Sequence, residues 1–224
     1  MPVLSTLKDR ARVTRHIVVL DIFRASNTII ELLARGAERV VALCDEADAL
    51  VLKPKHPDWL LVGERNGVRI PGFDADNSPT ALPERLDDRG AIMTTSNGTR
   101  ILDACGADGE VLIGSFANAS ALIAHLRSDG AQDPTFWAVG TVGDVPAVED
   151  EACAQYLDAL FHGHPADFVA ARAEAMGGDG GDRLRRLGLD ADLALCTELD
   201  RTTLIPLRVP WQGHYSLVAA GPSR

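Results

Sequence analysis

The chain has 224 residues, 46% of them hydrophobic and 24% charged, with 32 acidic against 22 basic side chains and a net charge of −10. A chain of this size buries a core large enough for a single domain over residues 1–224, with no need of a disulfide scaffold. The acidic balance excludes nucleic acid as a partner, because binding a phosphate backbone needs a clustered basic face.

No apolar run approaches the ~20 residues of a membrane helix, and the basic N-terminus lacks the apolar stretch of a secretory signal. Neither a membrane partner nor export is expected. The four cysteines, Cys44, Cys105, Cys153 and Cys196, are scattered and form no CxxC pair. They read as free thiols of a cytoplasmic protein. Assembly into a homo-oligomer is left open by the sequence.

Apolar runs and helical patterns alternate along the chain. HIVVLDIF (16–23) reads as a buried strand and ASNTIIELLARGA (25–37) as the helix after it. RVVAL (39–43) is a second strand, DEADALVLK (45–53) a short helix and LLVGER (60–65) a third strand. Residues 66–80 form a polar loop. AIMTTS (91–96), EVLIGSF (110–116) and TFWAVG (135–140) continue the strands, each followed by a helical segment: NGTRILDAC, NASALIAHLRSDG and VEDEACAQYLDALFHG. Residues 176–182, MGGDGGD, read as a flexible connector between helices. DRLRRLGL and DADLALCTELD look helical, and LIPLRVP pairs with HYSLVAAG as a terminal hairpin. The alternation predicts an α/β protein of three layers, α/β/α, around a mostly parallel mixed sheet.

Four places can carry chemistry. Asp21 ends an apolar strand, where a carboxylate is costly unless solvated, paired or bound to a metal. Arg24 opens the next helix, against the helix dipole; either an anion lies between the two, or Asp21 and Arg24 simply form an ion pair. Glu64 and Arg65 lead from a strand into a loop containing Asp74, Asp76, Asn77 and Ser78, whose oxygens suit a hard cation or an ordinary Asx-rich turn. Thr94-Thr95-Ser96-Asn97-Gly98-Thr99-Arg100 offers hydroxyls, amides and one cation at a helix start, a plausible oxyanion cradle without Walker A spacing. Glu149 and Asp150 begin a helix, as caps or as holders of a metal. Three strand-to-helix junctions also share an Asn with a nearby Ser or Thr: Asn27 with Thr28, Asn97 with Thr99, and Asn118 with Ser115 and Ser120. Helix capping explains each singly, and a shared ligand crevice explains them together. His162 and His164 read as surface residues. The aspartyl-phosphate DxDx[TV] signature, a C-x5-R loop and GxGxxG are all absent.

Taken in order, DIFRASNTI (21–29), GER (63–65), GFDADNSP (72–79), TTSNGTR (94–100), GSFANAS (114–120) and VED (148–150) resemble the 2-phosphosulfolactate phosphatase family of the coenzyme M pathway. The likeness spans roughly residues 16–160. It departs from the family pattern at Asn27, where Thr is usual, at Asp76, where Gly is usual, and in the Gly/Asp-rich stretch 177–182. The resemblance implies an α/β/α fold and Mg²⁺-dependent hydrolysis of a small anionic phosphate ester. The roles expected on that basis are as follows. Asp21, Glu64 and one of Asp74 or Glu149, with Asp150 close by, hold Mg²⁺. Arg24, Arg65 and Arg100, with Asn27, Thr28, Asn77, Ser78, Thr95, Asn97, Gly98, Thr99, Ser115 and Asn118, bind substrate. Two alternatives stand beside it: a phosphatase for another small phosphocarboxylate, and a non-catalytic anion-binding module of the same fold.

Overall fold

The computed structural model describes residues 3–5, 14–96, 101–102, 104–105, 109–141 and 145–221. The strands are β1 (Val3–Leu4), β2 (His16–Leu20), β3 (Val40–Ala42), β4 (Leu60–Arg65), β5 (Val68–Arg69), β6 (Ala91–Thr94), β7 (Glu110–Ile113), β8 (Thr135–Ala138), β9 (Pro206–Trp211) and β10 (His214–Ala219). The helices are α1 (Ala25–Ala34), α2 (Glu46–Leu52), α3 (Ala119–Ser128), α4 (Val148–His162), α5 (Phe168–Gly177), α6 (Asp179–Arg186) and α7 (Asp190–Cys196). No helix among the described residues is long and apolar enough to cross a membrane.

The strand HIVVL shows why the sheet is an inner layer. Successive side chains of a strand point to opposite faces. Ile17 and Val19 pack with Ala25, Ile29 and Leu32 of α1 on one side. Val18 and Leu20 pack with Leu122 of α3 and Leu157 of α4 on the other. A strand apolar at every position is therefore buried on both faces, as a helix-covered parallel sheet demands. The three-layer α/β expectation holds.

The described strands form one sheet in the order β1-β8-β2-β7-β9-β10-β3-β6-β4-β5. β1, β8, β2 and β7 make one parallel block, and β3, β6 and β4 a second. The predicted terminal hairpin forms. Gln212 and Gly213 both take positive φ, 46° and 82°, as a two-residue type I′ turn requires. It lies at the middle of the sheet, antiparallel to β7 on one side and to β3 on the other. The sheet's right-handed twist accumulates over its strands. The chain segments leaving β2, β4, β6 and β8 meet at one cleft.

The structure corrects one element. The stretch MGGDGGD is not a flexible connector: it ends α5 at Gly177 and begins α6 at Asp179. Its glycines are there for close approach. A Cβ on Gly180 would lie 2.0 Å from Glu149 Oε1, and one on Gly181 would lie 2.2 Å from the Met176 carbonyl oxygen. Bare backbone lets α6 press against the first turn of α4.

Candidate active site

β2 ends at Leu20, and Asp21 is the first residue beyond the apolar run. The turn into α1 is knitted locally. Ser26 N–H donates to the Asp21 carbonyl at 2.8 Å, and the Asp21 N–H donates to Ser26 Oγ at 2.9 Å. The carboxylate Oδ1 accepts from the Ala25 N–H at 3.4 Å, at the helix N-terminus. Asp21 is thus held at a strand tip with 8% exposure. It opens on a cleft of ≈ 70 Å³. Roughly 10–15 Å³ admits one water, so the space takes several waters or a small oxyanion.

The cleft draws its walls from distant segments. Asp21, Phe23 and Arg24 follow β2; Glu64, Asn66 and Gly67 come from β4 and its turn; Asn77 comes from the long loop. Ser96 follows β6, Thr141 follows β8, and α6 contributes Arg183 and Leu184. Glu64 is fixed by two backbone donors, Ser96 N–H to Oε1 at 2.8 Å and Gly67 N–H to Oε2 at 2.6 Å. Gly63, just before it, cannot be larger, because a Cβ there would meet the Thr94 carbonyl oxygen at 2.7 Å.

Electrostatically this is a crowd of buried acids. Burial, then the charges of Glu64 and Glu149, pushes the Asp21 carboxyl up to about 7, against the Ala25 N–H and Arg183. Burial also raises Glu149, opposed by its own N–H and Arg183. Burial, reinforced by Asp21 and Glu149, lifts Asp150 well above the carboxylate range. Such a group favours any arriving cation. No three of these acids bring an oxygen each within 4.8 Å of one another.

Arg24 does not form the simple ion pair with Asp21. Its guanidinium is 3% exposed and pairs not with Asp21 but with Asp192 Oδ2 at 2.9 Å and Asp76 Oδ2 at 3.2 Å. Nη2 also donates to the Gly67 carbonyl at 3.3 Å. Asp192, on α7, is fully buried and works as a hub. Its Oδ1 accepts from Ser78 Oγ at 2.8 Å and from Thr80 Oγ1 at 2.5 Å. This residue ties α7, the 72–80 loop and Arg24 together. Ser78, expected at the substrate, is therefore a support for Asp192.

Several other sequence-predicted residues have partners of their own. Asp74 lies outside the cleft with its side chain 43% exposed, bonded to Lys53 at 3.0 Å and to the Leu61 N–H at 2.8 Å. Arg65 follows Glu64 in the same strand and so points to the opposite face, donating to the Glu64 carbonyl at 2.8 Å and Thr94 Oγ1 at 3.1 Å. Asp150 uses Oδ1 for the Ile22 N–H at 2.8 Å and Oδ2 for the Gly140 N–H at 3.2 Å, joining the ends of β2 and β8. Asn27, Ser115 and Asn118 are fully buried at their junctions, where Ser115 and Asn118 form a capping box. Asn27 Nδ2 donates to the Ile22 carbonyl at 3.0 Å, while its Oδ1 accepts from Ser115 Oγ and Arg201, each at 3.2 Å. Asn118 Oδ1 accepts from the Ser115 N–H at 3.0 Å, and Nδ2 donates to the Ile113 and Leu204 carbonyls, each at 3.1 Å. Side-chain capping is present at the Ser115–Asn118 junction, and at the α1 junction Asn27 ties the turn to Ser115 and Arg201. Thr28 is buried in α1 and Thr95 beyond β6, and neither lines the cleft. Asn97, Gly98, Thr99 and Arg100 lie outside the described residues.

Asn77 does line the cleft, and its Oδ1 is buried without a hydrogen-bond partner among the described residues. Arg183 is the residue the sequence concealed. It sits half-buried at the cleft, and its guanidinium has no hydrogen-bond or ion-pair partner among the described residues. Its charge nevertheless reaches both Asp21 and Glu149. The signal available was the GG–DRLRR junction: glycines that let a helix come close, followed within one turn by a cation.

The family profile described as 2-phosphosulpholactate phosphatase matches residues 4–209. A protein of Deinococcus radiodurans named probable 2-phosphosulfolactate phosphatase is 33% identical over 209 residues, covering 86% of this chain and 87% of the relative. Proteins of the same name from Symbiobacterium thermophilum and Thermoplasma acidophilum are 36% and 32% identical, covering 86% and 84% of this chain and 91% and 84% of their own lengths. With its profile matched over nearly the whole chain and its strand tips gathered on one acidic cleft, this chain belongs to the 2-phosphosulpholactate phosphatase family.

Proposed function

We propose that this chain hydrolyses 2-phosphosulfolactate, or a closely related small phospho-acid, to the free hydroxy acid and inorganic phosphate, with Mg²⁺ as cofactor. One observation carries the reading: within a chain of this family, a single small cleft joins the strand-tip carboxylates Asp21 and Glu64 to the guanidinium of Arg183, which has no partner among the described residues. The four free cysteines support a reducing compartment, the cytoplasm.

The donor set suits a small hard cation. It is all oxygen: Asp21, Glu64 and the unpartnered Oδ1 of Asn77. The wide spacing of the acids also fits, since Mg²⁺ takes one or two carboxylates, keeps several waters and leaves room for substrate phosphate. Asp21 and Glu64 would hold the cation, with the charge of Glu149 nearby, and it would supply compact positive charge against the phosphoryl oxygens. Arg183 binds the remaining substrate oxygens through charge-assisted bonds. Arg24, clamped by Asp192 and Asp76, is a fixed wall whose charge is already largely balanced. Phe23 and Leu184 supply apolar surface that keeps bulk water from the reacting group. Loose phosphoryl transition states need little beyond this positioning and charge stabilisation.

The test is a panel of phosphate monoesters, including 2-phosphosulfolactate and phosphocarboxylates, assayed for phosphate release with Mg²⁺. The expected result is preference for 2-phosphosulfolactate or a near analogue. Turnover of a phosphocarboxylate alone would move the substrate assignment. Binding without turnover of any ester would favour the anion-binding module instead.

A further inference from the structure

At the far end of the sheet from the cleft lies a second cluster of ligating side chains that ester hydrolysis does not use. His16 opens β2 and Glu110 opens β7, and the two are register partners on adjacent parallel strands. Asp129 caps the C-terminus of α3, directly beside them. Asp21, at the other end of β2, is five residues away, roughly 16 Å along an extended strand.

The geometry is compact. His16 Nε2 lies 2.9 Å from Asp129 Oδ2, and one ligand atom from each of His16, Glu110 and Asp129 falls within 4.8 Å of the other two. His125 Nε2 sits 3.2 Å from Glu110 Oε1, so this oxygen is already oriented. The second oxygen, Oε2, is sealed from solvent with no hydrogen-bond partner among the described residues. A buried acceptor left unpaired is costly, and a cation would satisfy it. Bonds of about 2.0–2.2 Å to N and O ligands place neighbouring ligand atoms roughly 3 Å apart; His16 and Asp129 already stand at that separation, and Glu110 lies within 4.8 Å of both. The mixture of one imidazole nitrogen with carboxylate oxygens suits a borderline first-row divalent ion better than Mg²⁺.

We propose that His16, Glu110 and Asp129 form a binding site for a divalent transition-metal ion of the Zn²⁺ class, with His125 orienting Glu110. Asp129, whose side chain is half exposed, provides the solvent side through which the ion and a completing water arrive. Bound there, the ion joins the end of α3 to the feet of β2 and β7. The outer bond from His125 to Glu110 is of the kind that holds ligating carboxylates in metal sites generally.

The test uses the full chain, stripped with a chelator and titrated with Zn²⁺ by calorimetry in excess Mg²⁺, which keeps the cleft occupied. A melting curve is recorded alongside. Wild type and Asp21→Asn are expected to bind one Zn²⁺ and to melt several degrees higher with it. The double variant Glu110→Gln/Asp129→Asn, which preserves side-chain shape, is expected to keep its circular dichroism spectrum while binding at least tenfold more weakly and losing the melting shift. Single Asp129→Asn, at an exposed position, serves as the second variant if the double variant does not fold. Absence of Zn²⁺ binding by wild type, or loss in Asp21→Asn alone, overturns the site. Undiminished binding in the Glu110/Asp129 variants does the same, and would point to the stacked pair His162 and His164 instead.

Discussion

Asp21 decides how the cleft behaves with pH. Its carboxyl is pushed from 3.8 up to about 7, mainly by burial and then by Glu64 and Glu149. In metal-free protein the folded state therefore holds a proton that the unfolded chain gives up at lower pH. The stability linked to that proton is fully present below about 4 and is lost as pH rises through about 7. Asp21→Asn should flatten this slope, so that metal-free variant melts above metal-free wild type on the alkaline side. Melting curves across the range check it, and a slope unchanged by the substitution would contradict the burial argument. Arg183 belongs to the same scale. Losing its charge-assisted bonds should cost about 1.5–3 kcal/mol of substrate binding, a rise in KM of roughly ten- to hundredfold. Steady-state kinetics of Arg183→Ala, with circular dichroism to show an intact fold, is the measurement.

At the scale of elements, two devices set the cleft's shape. The first is the Asp192 hub, which holds Arg24 from α7 while accepting from Ser78 and Thr80 of the long loop. Removing Asp192 leaves Arg24 with Asp76 alone and takes the acceptor from Ser78 and Thr80, at a cost of about 1–3 kcal/mol. Asp192→Ala should therefore lower the unfolding free energy, read from denaturation curves, by an amount in that range, whereas Asp74→Ala, on an exposed pair, should hardly change it. The second is the bare contact of Gly180 on Glu149. Gly180→Ala should displace α6, and with it Arg183, lowering kcat/KM more than it lowers stability. Equal losses in both would mean that the glycine serves packing alone.

The elements themselves were legible because their signals are local. IVVL is apolar at every position since both its faces are covered, and LIPLRVP and HYSLVAAG lie close enough in the chain to pair around a short turn. Asp21 and Glu64 were also legible, as acids standing at the ends of apolar runs where only a special environment repays their burial. Asn27, Ser115 and Asn118 lie off the cleft, and the sequence could not show it: a side chain that ties a junction together and one that binds an oxyanion are the same amides and hydroxyls at the same strand tips. Arg65 was misplaced because the period of two puts it opposite its neighbour Glu64. Arg183 and Asp192 were out of reach because their meaning depends on where α6 and α7 pack, more than 100 positions after Asp21.

For the whole molecule, the C-terminal hairpin is the organising feature. β9 and β10 fill the gap between two parallel blocks, and no periodicity in LIPLRVP or HYSLVAAG announces that they belong at the centre and not at an edge. Leu217 of β10 is 1% exposed and packs into the same cluster as Ile17, Val19 and Met93. Leu217→Ala should cost about 2–5 kcal/mol by leaving a cavity there. Because the blocks bear Asp21 and Glu64 separately, that loss should lower activity at temperatures where an edge-strand change such as Val68→Ala, at an exposed position, leaves it intact.

The central claim is that these separate strand tips make one cation-dependent hydrolytic site. Phosphate release from 2-phosphosulfolactate by chelator-treated protein, measured before and after Mg²⁺ is restored, tests it most directly. The account predicts negligible turnover without the ion, recovery with it, and no recovery in Asp21→Asn. Equal turnover in the chelated protein, or full recovery in the Asp21 variant, would contradict it.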